Sequence, residues 1–321
     1  MNLPKVTDLA VSGKRVLLRL DLDGEPDPND LRIKAAEETI NYLKEKSSLI
    51  IILAHKGRPR GKVEENLSLR PFQKIFAKWG ARVEENLRFD PGEEDNDPEF
   101  CRRLASLGDV YVNEAFGDSH RNHASVVGLP ALLPHAAGFR LIQEVENLGK
   151  VLENPKRPVV LLLGGMKKDK LDYLEDLQKT VDLILIGGRL PEYLGDQALE
   201  SVRTQTGPVA VGNLAPDKEE ITLHTMERFE KEILKAGTVI LAGPMGKYEE
   251  EGHGQGTTRI LKAAVANQNA FRVAGGGDTE KAITRLGLKI SDFDWVSVGG
   301  GAMLEFLAKK TLPGIEALAG I

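Results

Sequence analysis

Short apolar runs alternate with amphipathic stretches along almost the whole chain, and this alternation constrains the fold more than any other feature. "RVLLRL" (15–20), "LIIILA" (49–54), "DVYVN" (109–113), "PVVLLL" (158–163), "VDLILI" (181–186), "GPVAV" (207–211), "TVILA" (238–242), "AFRVA" (270–274) and "WVSV" (295–298) have the length and composition of strands. Between them, residues 31–46, 69–79, 97–107, 140–153, 168–179, 223–235, 256–268, 278–286 and 301–309 carry apolar residues at helical spacing. Strand, helix, strand in succession predicts an α/β fold, a parallel sheet with helices on both faces. Ligands of such sheets sit beyond the carboxyl ends of the strands. The 321 residues suffice for two domains. "NPKRP" after the 140–153 helix is a stop signal and marks the boundary. A first domain is expected over 1–138, a joining helix and linker over 139–155, and a second domain over 156–304, with "LPGIEALAG" as a tail that must dock somewhere.

Five strands of the second half run into glycine: "LLLGG", "LILIGG", "ILAGPMG", "RVAGGGDT" and "VSVGGGA". One such turn means little, because glycine suits tight turns anyway. Five at one sheet edge suit a polyphosphate, since helix N-termini favour anions and glycine admits close approach. GxxxxGK[ST] and GxGxxG are both absent, which removes P-loop enzymes and standard dinucleotide-binding dehydrogenases. In "GGGDTEKAI", Asp278 and Thr279 read equally as a magnesium-phosphate site and as a helix cap. "LLLGGMKKDKLDYL" places Lys167, Lys168 and Lys170 where a strand becomes a helix. Cations are disfavoured at helix starts, so the cluster needs a reason.

In the first half, Arg32, His55, Arg58, Arg88, His120, Arg121 and His123 recur near strand ends or in glycine- and proline-marked loops such as "AHKGRPRG", "ENLRFDPG" and "AFGDSHRNH". Guanidinium forks there suit phosphate or carboxylate, although any one of them alone reads better as solvated surface charge. "HRNH" lacks the acidic or cysteine partners of a zinc site. The net charge of −5 points away from nucleic acid, so a basic site must be local. The longest apolar runs are too short for a bilayer, and a soluble cytoplasmic protein is expected. The single Cys101 excludes an intrachain disulfide and reads as a core residue of an amphipathic helix. One half would hold a small anionic substrate with arginines, the other a magnesium nucleotide on glycine turns. Phosphoryl transfer between them needs charge neutralisation and alignment more than a protein base.

These motifs resemble, in order and from end to end, those of the phosphoglycerate kinase family. "RLDLDGEPDPNDLRI" is similar to the family's Arg-Val-Asp-Phe-Asn-Val-Pro followed by Asp-Asp-Thr-Arg-Ile, and "AHKGRP" to its Ser-His-Leu-Gly-Arg-Pro. "ENLRF", "DVYVNEAFGDSHRNHAS", "GGMKKDKL", "AGPMGKYE", "GGGDT" and "GGGAMLE" follow in family order. The resemblance implies an α/β fold of two doubly wound parallel-sheet (Rossmann-like) domains facing a central cleft, with the tail after about residue 305 (305–321) returning to the first. It implies reversible phosphoryl transfer between 1,3-bisphosphoglycerate and MgADP, giving 3-phosphoglycerate and MgATP in glycolysis, by a monomer with Mg2+ as cofactor. By motif match, Arg32 and Lys170 would be catalytic. Asp21, Asp23, Arg32, His55, Lys56, Gly57, Arg58, Arg88 and Arg121 would bind the glycerate substrate. Lys167, Lys170, Glu249, Gly276, Gly277, Asp278 and Thr279 would bind ATP or ADP, with Asp278 on the metal.

The chain also departs from the family pattern. "GGMKKDK" is one residue short between the matched lysines, leaving Lys167 or Lys168 as the first. Asp23 stands for an asparagine, Lys56 for a leucine, Asp118 for a threonine and Ala242 for an asparagine. The stretch 196–222 is brief and polar where the family adds helix and strand, so a more open nucleotide pocket is expected. A catalytically impaired binding relative, or a kinase for another small carboxylate, are the alternative readings. Domain closure is expected, with hinges near 140–155 and in the tail.

Overall fold

The computed structural model describes residues 2–194 and 209–320. They form two compact units, one of residues 1–146 and 311–321, the other of 147–310. The strand expected over 207–211 is seen from Val209, and residues 207–208 lie outside the described residues, as does much of the brief polar stretch after 195.

The first unit holds five parallel strands: β1 (Arg15–Arg19), β2 (Leu49–Leu53), β3 (Arg82–Val83), β4 (Val110–Asn113) and β5 (His135–Ala137), in the order β3-β2-β1-β4-β5. Its longer helices are α1 (Leu31–Lys44), α2 (Pro98–Ala105) and α3 (Phe139–Glu153), the last crossing into the second unit. Val16 and Leu18 of β1 pack with Ile33, Ile40, Ile50, Ile52, Phe72 and Phe76. Each fully buried aliphatic side chain contributes roughly 1.5–3 kcal/mol. Strand alternation puts Leu17 and Arg19 on the opposite face, where Arg19 is fully buried.

The second unit holds six parallel strands: β6 (Val159–Leu163), β7 (Leu183–Ile186), β8 (Val209–Val211), β9 (Thr238–Ala242), β10 (Phe271–Gly275) and β11 (Trp295–Ser297), in the order β11-β10-β9-β6-β7-β8. Helices α4 (Leu223–Lys235), α5 (Gln255–Ala266), α6 (Gly277–Arg285) and α7 (Gly300–Lys309) connect or follow these strands. A last helix, α8 (Pro313–Ala319), belongs to the first unit. Its Gly314 N–H donates to Ser119 O at 2.8 Å, and a Cβ on Gly314 would lie 2.7 Å from Val126.

Both sheets are doubly wound. The chain builds outward from a central strand in one direction, then returns and builds outward in the other. The order reverses between β1 and β4 in the first unit and between β6 and β9 in the second. The carboxyl ends of those four strands are the places where a doubly wound sheet opens a ligand crevice.

Two expected helices take a different form. Residues 70–79 are two 3-10 turns around a single α turn, with Pro71 in the first. Residues 168–173 are a 3-10 helix that passes into a short α turn, Leu174–Leu177.

Candidate active site

The β1/β4 reversal of the first unit carries a buried knot of charge. Arg19 ends β1 with its side chain inside the protein. Its Nε donates to Ser125 Oγ at 2.9 Å, and Nη1 donates to the carbonyl of Leu20. Its Nη2 lies 2.8 Å from His55 Nδ1 and 3.0 Å from Asp118 Oδ2. Arg121 Nε is 3.6 Å from the other Asp118 oxygen. Arg88 is also buried, donating from Nη1 to Gly57 O at 2.6 Å, with Nε 3.2 Å from Glu94. Burial raises the Asp118 carboxyl, but the surrounding His55, Arg19 and Arg121 outweigh it and hold the group below the usual carboxylate range. Burial also pushes His55 down to about 4, against the pull of Asp118, and His123 down to about 3, where Arg88 and Arg121 add to the fall.

Among the described residues, His55 Nε2 and Arg121 Nε are buried without a hydrogen-bond partner. Unpaired buried donors are costly, so this pocket calls for an anion.

A second group adjoins it. Asp30 caps α1 by accepting from Arg32 N at 2.8 Å, and the same carboxylate clamps the Arg32 side chain through Nε at 3.1 Å and Nη2 at 2.9 Å. Arg32 Nη1 donates to Asp23 O at 2.7 Å and lies 3.4 Å from Asp21. These acids raise the Arg32 pKa in spite of burial. Asp21 is raised to about 6 by burial and by Asp118, with Arg32 opposing. Gly57 links the two groups: its N–H donates to Asp23 Oδ1 at 2.8 Å while its carbonyl accepts from Arg88. At φ +64°, with Leu67 where a Cβ would stand, this position requires glycine. Lys56 reaches away to Glu25 at 3.3 Å, and Arg58 is exposed.

Gly24 sits against the Arg32 guanidinium, and a Cβ there would overlap Nη2. Gly24→Ala is therefore expected to displace Arg32 and lower turnover about tenfold to a hundredfold. Its urea midpoint should barely move, and the two measurements together check the claim.

The β6/β9 reversal of the second unit holds Lys170. Its Nζ donates to Gly164 O at 2.7 Å, just beyond β6, and to Ala242 O at 2.9 Å, the last residue of β9. Burial lowers its pKa to about 8, with Asp278 opposing and Lys167 adding to the fall. Lys167, the extended residue that precedes the Lys168–Tyr173 turn, adds its charge to the surroundings of Lys170. Lys167 lines the adjacent cavity of about 360 Å3 together with Gly165, Gly188, Arg189, Glu249 and Asp278.

The glycine turns divide into two kinds. Gly165 N–H bonds to Pro244 O at 2.7 Å, Gly188 N–H to Met245 O at 3.2 Å and Gly243 N–H to Thr279 Oγ1 at 2.9 Å. The first two tie the ends of β6 and β7 to the segment after β9, and the third ties the end of β9 to α6, a use that strand-end glycines alone do not reveal. Gly276 (φ +96°) and Gly277 instead open α6, whose first turn carries an exposed Asp278. Thr279 is buried, its hydroxyl accepting from Gly243 and donating to Gly275 O at 2.9 Å. Sequence reading missed Arg19, although a charged residue on the inward face of "RVLLRL" was the available signal.

The family model described as Phosphoglycerate kinase matches residues 6–84, 81–202 and 196–310. A phosphoglycerate kinase of Solibacter usitatus is 37% identical, with 99% of this chain and 100% of the relative covered, and one of Dictyoglomus turgidum is 35% identical with 97% of each covered. The Dictyoglomus alignment spans 385 positions against the 321 residues of this chain, so the relative carries segments that are absent here. Among solved structures, phosphoglycerate kinase from Coxiella burnetii matches with a TM-score of 0.81 at 30% identity, covering 99% of each chain. The enzyme from Pyrococcus horikoshii matches with the same TM-score at 26% identity, covering 98% of each chain. With both reversal points lined as described and matches running along nearly its full length, the chain belongs to the phosphoglycerate kinase family.

Proposed function

We propose that the protein is a working phosphoglycerate kinase of glycolysis, a phosphotransferase with a carboxyl group as acceptor. It moves one phosphoryl group between the acyl phosphate of 1,3-bisphosphoglycerate and ADP, in either direction. The observation that carries this reading is the Lys170 ammonium, fixed by two backbone carbonyls at the reversal point of the second sheet and beside a cavity of nucleotide size.

The acceptor is already a carboxylate, so no protein base is needed, and positioning plus charge neutralisation supply the catalysis. The first unit's donors, His55, Arg58, Arg88 and Arg121, hold the phosphate end of the glycerate, while Asp21 and Asp23 address its polar groups, with Lys56 and Gly57 alongside. Arg32 faces the carboxylate and the migrating group. In the second unit, Lys170 and Lys167 neutralise the nucleotide phosphates, the α6 start at Gly276 and Gly277 cradles them, and Glu249 holds the ribose. Thr279 shapes this end from the interior.

Asp278 fits a magnesium ion. Mg2+ commonly takes one or two protein carboxylates and completes its shell with phosphate oxygens and water. Among the described residues no three His, Cys, Asp or Glu side chains converge into a metal cage. When bound, the ion would be held by Asp278 and would offset phosphate charge.

Donor and acceptor, held on separate units, must meet with water excluded, so closure about the α3 region and the tail accompanies turnover. Among the described residues no helix is long and apolar enough to cross a membrane. The enzyme acts as a cytoplasmic monomer on small molecules, with no nucleic-acid or membrane partner. A coupled assay with 3-phosphoglycerate, glycerate and other small carboxylates, each with MgATP, tests the reading. Turnover should be restricted to 3-phosphoglycerate. Faster turnover of another carboxylate would reassign the substrate, and nucleotide and substrate binding without turnover would leave a binding protein only.

A further inference from the structure

The buried Arg19 makes no use of its charge in the reaction as described, yet it touches three side chains at the substrate pocket. A guanidinium has five N–H donors and no acceptor, and it stays charged throughout the working pH range. Its Nη2 lies 2.8 Å from His55 Nδ1. A donor facing a ring nitrogen at that distance requires that nitrogen to accept. His55 Nδ1 is then unprotonated, and the ring proton of the neutral imidazole sits on Nε2. That atom is buried and has no hydrogen-bond partner among the described residues.

We infer that Arg19 is a positioning residue for the substrate pocket, fixing His55 as the Nε2–H tautomer and so turning it into a permanent hydrogen-bond donor to an anionic oxygen of the substrate. The assignment of that oxygen to the glycerate phosphate rests on the function proposed above, whereas the tautomer does not.

The surrounding structure keeps Arg19 in this pose. Nε is held by Ser125 Oγ at 2.9 Å, and Ser125 is in turn held by Glu93, whose two oxygens accept from its N–H at 3.0 Å and its hydroxyl at 2.6 Å. Nη1 is held by the Leu20 carbonyl. Asp118 neutralises the guanidinium as an ion pair, with Oδ2 3.0 Å from Nη2, and its other oxygen lies 3.6 Å from Arg121 Nε. Asp118 is 3.6 Å from His55 Nδ1, farther than Arg19, so the nearer donor decides the tautomer.

Charged groups acting on His55 come from every side. Arg19 comes from β1, Asp23 from the loop after it, Arg88 from the segment after β3, and Asp118 from the loop after β4. Arg121 and His123 share that last loop, and His55 and His123 repel each other's cationic forms. Burial, Arg19 and Arg88 all disfavour a positive imidazole, against Asp118 and Asp23. A neutral ring donates from one nitrogen only, so its tautomer decides whether the pocket gains a donor or a misplaced acceptor. Loss of a hydrogen bond to a charged oxygen lowers affinity by about tenfold or more.

The experiment is 15N NMR of histidine-labelled protein, free and with 3-phosphoglycerate, for the wild type and Arg19→Lys. Lysine keeps the charge beside Asp118 but lacks the fork that reaches His55 and Ser125 together. In the wild type, His55 should show a bare Nδ1 and a protonated Nε2 from pH 5.5 to 8, with the Nε2 resonance moving when 3-phosphoglycerate is added. In Arg19→Lys the two tautomers should mix or invert, and KM for 3-phosphoglycerate should rise about tenfold while kcat stays within about threefold. A wild-type His55 protonated on Nδ1, or cationic at pH 7, would overturn the inference even if the variant fails to fold. So would an unchanged tautomer and KM in a folded Arg19→Lys. A protonated Nε2 in a protein without kinase turnover would leave the tautomer standing and remove the assigned substrate.

Discussion

Lys170→Met is expected to lower kcat by about 10²–10³, the usual cost of removing one preorganised donor from a developing negative charge. The methionine keeps most of the side chain's volume and abandons only the ammonium that Gly164 O and Ala242 O hold in place. KM for 3-phosphoglycerate should change little, because the site proposed for that substrate is in the other unit. The low pKa of Lys170, about 8 because of burial, adds a second signature. At pH 8.5 the free protein holds this group largely neutral. Bound phosphate charge favours the ammonium and raises the pKa, so nucleotide binding must take up a proton. Calorimetry of ADP binding in buffers of different ionisation enthalpy should show that uptake in the wild type at pH 8.5, less of it at pH 7, and none of it in Lys170→Met.

Arg32→Ala is expected to cost at least as much in kcat, and Arg32→Lys should recover little of it. The reason is the fork. Asp30 grips Nε and Nη2 as a bidentate pair, and Nη1 is shared between the Asp23 carbonyl and Asp21. A lysine ammonium reproduces one of these contacts but not the planar set that aims the remaining N–H. Since Asp30 also caps α1 through Arg32 N, a bond independent of the side chain, the helix should survive the substitution. Thermal unfolding of Arg32→Ala is expected to stay close to wild type while the coupled assay falls by 10²-fold or more.

Much of this could be read before any coordinates. Nine strands were legible because each is a continuous apolar run bounded by turn residues, as buried parallel strands are. The two missed strands, Arg82–Val83 and His135–Ala137, are too short to carry a pattern. They complete the first sheet only because β2 and β4 offer them an edge. Helix 168–179 was misjudged because its apolar spacing continued through a first turn rich in lysine. Cations at a helix start oppose the macrodipole, and the chain takes a 3-10 turn there instead.

The site itself was legible only in part. Exposed or loop-borne groups proposed for the site, such as Arg58, Asp278 and Lys167, stand out in the sequence through their glycine-rich context. Arg19 did not, because within "RVLLRL" it reads as the polar member of a strand. Its role depends on His55, Asp118 and Ser125, brought from far along the chain. The glycine turns taught the reverse lesson. Residues with the right look for phosphate binding at 164–165, 188 and 243 spend backbone donors holding strand ends together.

In the proposed function, the Arg32 and Lys170 cations stabilise one phosphoryl group in flight more than they stabilise either bound substrate. Affinity for a planar phosphoryl mimic, aluminium fluoride bound with MgADP and 3-phosphoglycerate, tests it most directly, because such mimics report transition-state binding. Arg32→Ala and Lys170→Met should each lose affinity for the mimic by about the factor lost in kcat, with 3-phosphoglycerate and ADP affinities falling far less. Variants that bind the mimic as tightly as wild type would contradict it.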